Sequence, residues 1–330
     1  MTDIHPHGLH HVTAIASEPQ RNVDFYTRVL GLRLVKQTVN FDAPDTYHLY
    51  YGDQQGRPST LLTFFPWRGV PKGKQGTGLT TATAFSVPPE SLGWWQRRLT
   101  GLGMDVQGPR DRDGEEVLTF RDPDGLVIEL VASAGDARSG WDGVAQVPTE
   151  HAVRGLYSVT MSERMLDPTA QMLAGMLGMQ LGGEDADRAR LGMAGGGAGA
   201  VVDVAAGAGP RGLQAGGTVH HIAFRAPDGQ TQARWRQELL DAGVRVTEII
   251  DRQYFTSIYF REPGGALLEI ATDQPGFTVD EPLLELGRSL KLPPWLEPDR
   301  EQIAAALPPL RNPDSEDLSP GGGTAIRSGV

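Results

Sequence analysis

The sequence predicts an α+β protein built from four repeated modules, each a strand, a helix and three further strands. Three observations carry this reading. The same order of elements recurs four times along the chain. The closing segments of the second and fourth copies match residue for residue: Asp122-Pro-Asp-Gly-Leu-Val-Ile-Glu129-Leu lies over Glu262-Pro-Gly-Gly-Ala-Leu-Leu-Glu269-Ile. The first and fourth copies both open on a short β-branched strand with two adjacent histidines, His10-His11 and His220-His221.

The first copy starts with a strand over 8–16. A helix follows whose apolar face is Val23, Tyr26, Val29 and Leu30. Leu32–Val39 alternates at a period of two, as do parts of 46–51 and 59–65, and short turns at 42–45 and 52–53 separate these strands. In the second copy a strand over Gly78–Val87 and a helix over Glu90–Leu102 precede strands near 104–108, 115–121 and 125–132. The third opens at Gly155–Ser162, has a helix through about Leu177, and continues as strands near 179–182, 187–192 and 199–205. The fourth opens at Gly217–Arg225, with a helix over Gln230–Ala242 and strands near 244–250, 255–261 and 265–271. This divides the chain into an N-terminal half, 6–133, a linker, 134–151, and a C-terminal half, 152–273, followed by an extension over 274–310. Apolar stretches at Pro282–Leu292 and Gln302–Leu310 are expected to pack, whereas the polar, glycine-rich 311–330 is expected to be disordered. The glycine cluster Ala194–Gly199 lacks the lysine-bearing pattern of a phosphate loop and reads as a hairpin.

Composition narrows the function. The chain has 330 residues, of which 39% are hydrophobic and 22% charged, an ordinary globular make-up with room for two domains. A net charge of −11 without a basic cluster argues against a nucleic-acid partner. No apolar run approaches the roughly 18–20 residues of a membrane span, and the N-terminus lacks the regions of a signal peptide, so a cytoplasmic protein is expected. The absence of cysteine removes disulfides, thiolate metal sites and cysteine nucleophiles together. A metal would have to be held by histidine and carboxylate.

The repeat supplies an internal control for such a site. The places of the two histidine pairs are taken by Thr81-Ala82 in the second copy and Tyr157-Ser158 in the third. Glu129 stands in the second copy where Glu269 stands in the fourth, but without histidine, and reads as a paired or rim carboxylate. Neighbours in a regular strand face opposite sides, so one histidine of each pair can turn into a concave face. This supports His11, His221 and Glu269 as two histidines and one carboxylate on a single face, the usual holder of non-haem Fe(II), with Mn(II) and Zn(II) tolerated. His5, His7 and His48 read as structural or surface residues, and His151 as a linker contact.

The modules with metal residues on their first and last strands resemble the vicinal oxygen chelate (glyoxalase, bleomycin-resistance, extradiol dioxygenase) superfamily. Within it the chain is similar to the ring-cleaving dioxygenases of hydroquinones. Leu9-His-His-Val-Thr13, Phe25-Tyr-Thr-Arg-Val-Leu-Gly31, Leu34-Val-Lys-Gln-Thr38, Tyr47-His-Leu-Tyr-Tyr51, Phe64-Phe-Pro66, Glu150-His-Ala-Val-Arg-Gly155 and Val219-His-His-Ile-Ala-Phe224 carry the likeness, which spans roughly 6–292. It implies two open barrels, the active one shared by copies one and four. It implies that the second histidine of each pair is the ligand, with His220, Arg252 and Tyr259 acting in catalysis and His10 and Thr13 lying around the substrate. His220 is expected to act as acid/base from an ordinary pKa of about 6.5, with Arg252 and Tyr259 steadying oxygen anions. The implied partners are O2 and a small aromatic diol, in a homo-oligomer. The competing readings are a glyoxalase-like lyase or isomerase, against which Thr60–Phe64 offers no fourth ligand, and a metal-free binding protein.

Overall fold

The computed structural model describes residues 6–143, 146–184 and 187–311. His5 and the stretch 312–330, expected to be disordered, lie outside the described residues. The first module comprises β1 (Leu9–Ala16), α1 (Pro19–Asp24), β2 (Arg33–Asn40), β3 (Ala43–Gly52) and β4 (Leu61–Pro66). The second comprises β5 (Leu79–Val87), α2 (Leu92–Gly101), β6 (Gln107–Arg112), β7 (Glu115–Arg121) and β8 (Val127–Ala132). In the third, β9 (Gly155–Glu163) is followed by α3 (Leu166–Leu177), β10 (Gln180–Glu184), β11 (Arg188–Gly192) and β12 (Val201–Ala206). The fourth has β13 (Val219–Ala226), α4 (Gly229–Asp241), β14 (Ile250–Asp251), β15 (Thr256–Arg261) and β16 (Leu267–Thr272).

Local chemistry accounts for the element ends. Asp228 caps α4, its carboxylate accepting from the Thr231 amide at 2.7 Å. Gly178 ends α3 in a left-handed conformation. The first helix turns over into a π-helical turn at Phe25–Val29, which buries Phe25 and Tyr26. The strand expected at 244–250 is instead only Ile250–Asp251. Before it the chain bridges β15 at Val246–Phe260, and the Thr247 side chain accepts the Tyr259 amide at 3.0 Å.

Two eight-stranded sheets result, ordered β14-β15-β16-β13-β1-β4-β3-β2 and β10-β11-β12-β9-β5-β8-β7-β6. Within each module the first and fourth strands run parallel, and the modules join through antiparallel seams, β1 with β13 and β5 with β9. Modules one and four therefore make one sheet and modules two and three the other. Neither half of the chain, 6–133 or 152–273, forms a sheet by itself, because each first strand finds its antiparallel partner in the other half.

Both seams share an irregularity. Between β1 and β13 the register skips His10 and His220; between β5 and β9 it skips Thr81 and Tyr157. Each first strand thus carries an extra residue at the first position of its pair. The expectation that adjacent histidines face opposite sides fails for this reason: the bulge swings both rings to the same side.

The extension is packed onto the first sheet. Lys36, fully buried on β2, reaches Asp280 at 2.6 Å, the Phe277 carbonyl at 3.2 Å, and Glu281. Gln37 donates to the Gly287 carbonyl at 2.6 Å, and Leu286, Leu292, Ile303 and Leu307 are buried. Along the chain it ends in a short helix, α5 (Arg300–Ala306).

Candidate metal centre

The seam between β1 and β13 positions the three expected ligands. Thr13 pairs with His221 and His11 with Ala223, so His11, Thr13, His221 and Ala223 share one face. Ala223 pairs in turn with Glu269 on β16, which pairs with Tyr259 on β15. His11 Nε2 lies 3.2 Å from His221 Nε2 and 3.3 Å from Glu269 Oε2, and His221 Nε2 lies 2.8 Å from that same oxygen. All three residues are buried, and they are the one group of three or more such side chains, among the described residues, with ligand atoms close enough to share an ion.

The donor set fits a divalent cation. Ser257 donates to Glu269 Oε1 at 2.5 Å, whereas Oε2 is buried without a hydrogen-bond partner. His221 Nε2 is near enough to Oε2 but makes no hydrogen bond to it. A buried carboxylate oxygen left in that state is costly unless a cation or proton satisfies it. Burial pushes the Glu269 carboxyl up, but the His11 and His221 rings outweigh it and hold it well below the usual carboxylate range. Burial lowers His221, so its imidazole is neutral and able to ligate.

The outer histidines act on the inner ones. His10 Nδ1 lies 2.9 Å from His11 Nδ1, and His220 Nδ1 lies 2.8 Å from His221 Nδ1. An imidazole ligating through Nε2 would carry its proton on Nδ1, so with an ion bound each inner ring would donate to its outer neighbour, and His220 would carry its own proton on Nε2. Burial, followed by the neighbouring His221, pushes His220 down to about 3, away from the ordinary value near which an acid/base role was expected.

The other expected residues are distributed unevenly. His220, Arg252 and Tyr259 line a cavity of about 320 Å³ together with His11 and His221. The Arg252 Nε donates to the Tyr259 hydroxyl at 3.2 Å, its Nη1 to Asp42 at 2.9 Å, and the Tyr259 ring meets His221 edge-on. Burial, then Glu269, pushes the Tyr259 phenol up, and it remains protonated. His10 is not among the cavity's lining residues; its ring packs on Phe255. Thr13 lies buried, bonded to Thr63 at 2.7 Å.

His48 and Tyr50 on β3 also line the cavity, and Phe65 and Trp67 extend its aromatic wall. His48 therefore lies in the cavity wall rather than on the open surface. Its signal in the sequence was alternation, which puts His48 and Tyr50 on one side of the strand. His7 is exposed, and His151 bonds Ser91 at 3.0 Å and stacks on Trp94, as a linker contact would.

The second sheet has the same backbone places with different occupants. Registers put Ala82 and Ser158 where His11 and His221 stand, and both Glu129 and Asp203 where Glu269 stands. Arginine neutralises these carboxylates: Arg112 reaches Glu129 at 2.7 Å, while Arg188 and Arg190 reach Asp203 at 2.5 and 2.9 Å. Glu115 joins the set through Arg190 at 3.1 Å and through the Tyr157 hydroxyl.

Comparison with known proteins agrees with this architecture. The model of the Glyoxalase/Bleomycin resistance protein/Dioxygenase superfamily matches residues 8–130 and 158–270. A Bacillus subtilis protein named as a ring-cleaving dioxygenase, MhqE, is 45% identical over 92% of this chain and 99% of its own length. The chlorohydroquinone/hydroquinone 1,2-dioxygenase of Sphingobium indicum is 36% identical over 91% of this chain and 95% of its own. A crystal structure described as a dioxygenase from Bacillus subtilis superposes with a TM-score of 0.90 at 41% identity, covering 94% of this chain and 99% of that one. With two bulged seams, four modules and matches along nearly its whole length, the chain belongs to the glyoxalase, bleomycin-resistance and dioxygenase superfamily.

Proposed function

We propose that the protein is a ring-cleaving dioxygenase that inserts O2 into a hydroquinone-type or catechol-type aromatic, with Fe(II) held by His11, His221 and Glu269. The observation that carries this reading is the meeting of two buried imidazoles and one half-satisfied carboxylate beside an aromatic-walled cavity. Three protein ligands leave adjacent open positions, through which Fe(II) would bring a ring hydroxyl and O2 together and pass electron density between them. Mn(II) is tolerated by the same donors. The place where a fourth ligand would stand in a lyase or isomerase of this scaffold holds Thr63, which favours the dioxygenase.

The chain's own residues divide the remaining work. Phe65 and Trp67 offer flat faces to an aromatic ring. His220 presents its Nε2 proton as a donor to developing oxygen charge, since taking up a proton would cost it the bond from His221. Arg252 holds the Tyr259 hydroxyl in place as a second donor. A homo-oligomer acting in the cytoplasm belongs to the same proposal.

The test is reconstitution with Fe(II) under anaerobic conditions, followed by O2 uptake with hydroquinone, methylhydroquinone and catechol. Absence of iron-dependent uptake across that panel would overturn the reading. His220→Ala should retain stoichiometric iron and lose about 10²–10³-fold in turnover; an iron-free variant would shift the ligand assignment by one residue.

A further inference from the structure

The first module's part of the cavity wall repeats the fourth module's in a different chemistry. Tyr259 pairs with Glu269, and Ser257, two residues earlier, bonds that carboxylate. In the first module Tyr50 pairs with Thr63, and His48, two residues earlier, bonds the Thr63 hydroxyl through Nε2 at 2.9 Å. Tyr50 thus stands in the place of Tyr259, and His48 in that of Ser257. The difference is in what holds the tyrosine. Tyr259 is held by the Arg252 cation, whereas the Tyr50 hydroxyl meets His48 Nδ1 at 2.8 Å.

Both ring nitrogens of His48 are occupied, and beyond Thr63 the chain of bonds continues to Thr13 at 2.7 Å. Burial, then the His11 and His221 rings, keeps His48 well below its ordinary value, so it is neutral, with one N–H and one lone pair. The threonine hydroxyls donate or accept with equal ease, so either tautomer completes the chain. In one, Tyr50 gives its hydrogen to Nδ1 and leaves its oxygen as an acceptor. In the other, Nδ1–H donates to Tyr50, and the phenol hydrogen is free to donate.

We propose that Tyr50, set by the tautomer of His48, is the specificity-determining contact for a second oxygen on the substrate ring, one that the metal does not hold. It accepts from that oxygen as a hydroxyl and donates to it as an oxyanion or ketone, so the same pair serves substrate and ring-opened product. This rests on the dioxygenase reading and sharpens it. A ring with both oxygens on the ion leaves Tyr50 idle, so the site favours a diol whose second hydroxyl is remote from the first. Tyr50 and His48 both line the cavity, Tyr50 as a buried side chain in its wall.

The experiment compares anaerobic binding of hydroquinone and of phenol, by calorimetry, to the protein loaded with Zn(II) in place of iron. The wild type should prefer hydroquinone by about ten- to a hundredfold. Tyr50→Phe, which removes one hydroxyl and keeps the buried ring, should bring that ratio close to one with phenol affinity unchanged. Thr63→Val, acting from behind His48, should lower the ratio less, and histidine ¹⁵N spectra should show His48 change tautomer when hydroquinone binds. A wild-type ratio retained in both variants would overturn the inference. It is separable from the activity reading, which falls if the iron-loaded wild type consumes no O2 with hydroquinone, methylhydroquinone or catechol, whatever the binding ratio.

Discussion

The two sheets place carboxylates at the same backbone positions and satisfy them by opposite means. In the first sheet Glu269 has one oxygen fixed by Ser257 and the other left open beside two histidines. In the second, Glu129 and Asp203 are each met by arginine side chains. A guanidinium carries its charge permanently and fills the space with its own donors. An imidazole that offers its lone pair to a cation brings no charge of its own, so a bound ion would supply the compensation that arginine gives in the other sheet. The scaffold is common to both, and the identity of a few inward-facing side chains decides whether a concave face holds a structural ion network or a candidate reaction centre.

Substitutions at equivalent places should separate the two. The largest effect is expected at Glu269: Glu269→Ala should abolish metal binding by elemental analysis and reduce activity by about 10³-fold or more. Glu129→Ala should leave the metal content intact, and equal loss in both variants would mean that the sheets were assigned the wrong way round. Asp203→Ala takes the buried carboxylate from Arg188 and leaves Arg190 with Glu115 alone, and should lower the unfolding free energy in urea by about 3–5 kcal/mol without changing bound metal. Glu129→Ala strands one arginine and should cost less, about 1–3 kcal/mol.

A smaller effect is expected at the contact between the third and fourth modules. Glu163, at the end of β9, is buried against the turn residue Gly264, near the buried Glu262. Burial, then the Glu262 charge, raises the Glu163 carboxyl to about 8. The folded protein therefore binds a proton here that the unfolded chain releases near its ordinary carboxylate value. Its contribution is fully present below that value and is lost as the pH rises through about 8. The melting temperature should decline over that window, and Glu163→Gln should flatten the decline; an unchanged pH profile would contradict the buried acid.

Much of this was legible in the sequence, for identifiable reasons. The repeat fixed the order of elements because strand and helix periods differ, and the two matched closing segments located Glu129 and Glu269. The histidine pairs were visible because two modules carried them and two did not. The bulge was not legible: a period-two reading assumes an unbroken ladder, and nothing local at His10 or His220 signals a skipped residue. His48 was missed because its meaning comes from Thr63 and Tyr50, which become its partners only once β3 and β4 are paired. Asp203 escaped notice because the third copy aligns with the others in element order alone, and its arginines lie on a neighbouring strand.

The seam that unites His11 with His221 closes a separation of 210 residues. The second sheet, in contrast, is drawn from one uninterrupted stretch, Leu79 to Ala206. On a growing chain the second sheet has all its strands available while the first still lacks half of its own. The metal centre is thus completed after the strands of the second sheet are all available, and β1 must wait, with its histidines in place, until β13 and β16 emerge. In refolding, amides of β5 and β9 should gain protection from hydrogen exchange before those of β1 and β13. The candidate ligands, drawn from β1, β13 and β16, therefore meet only after the second sheet can already have formed.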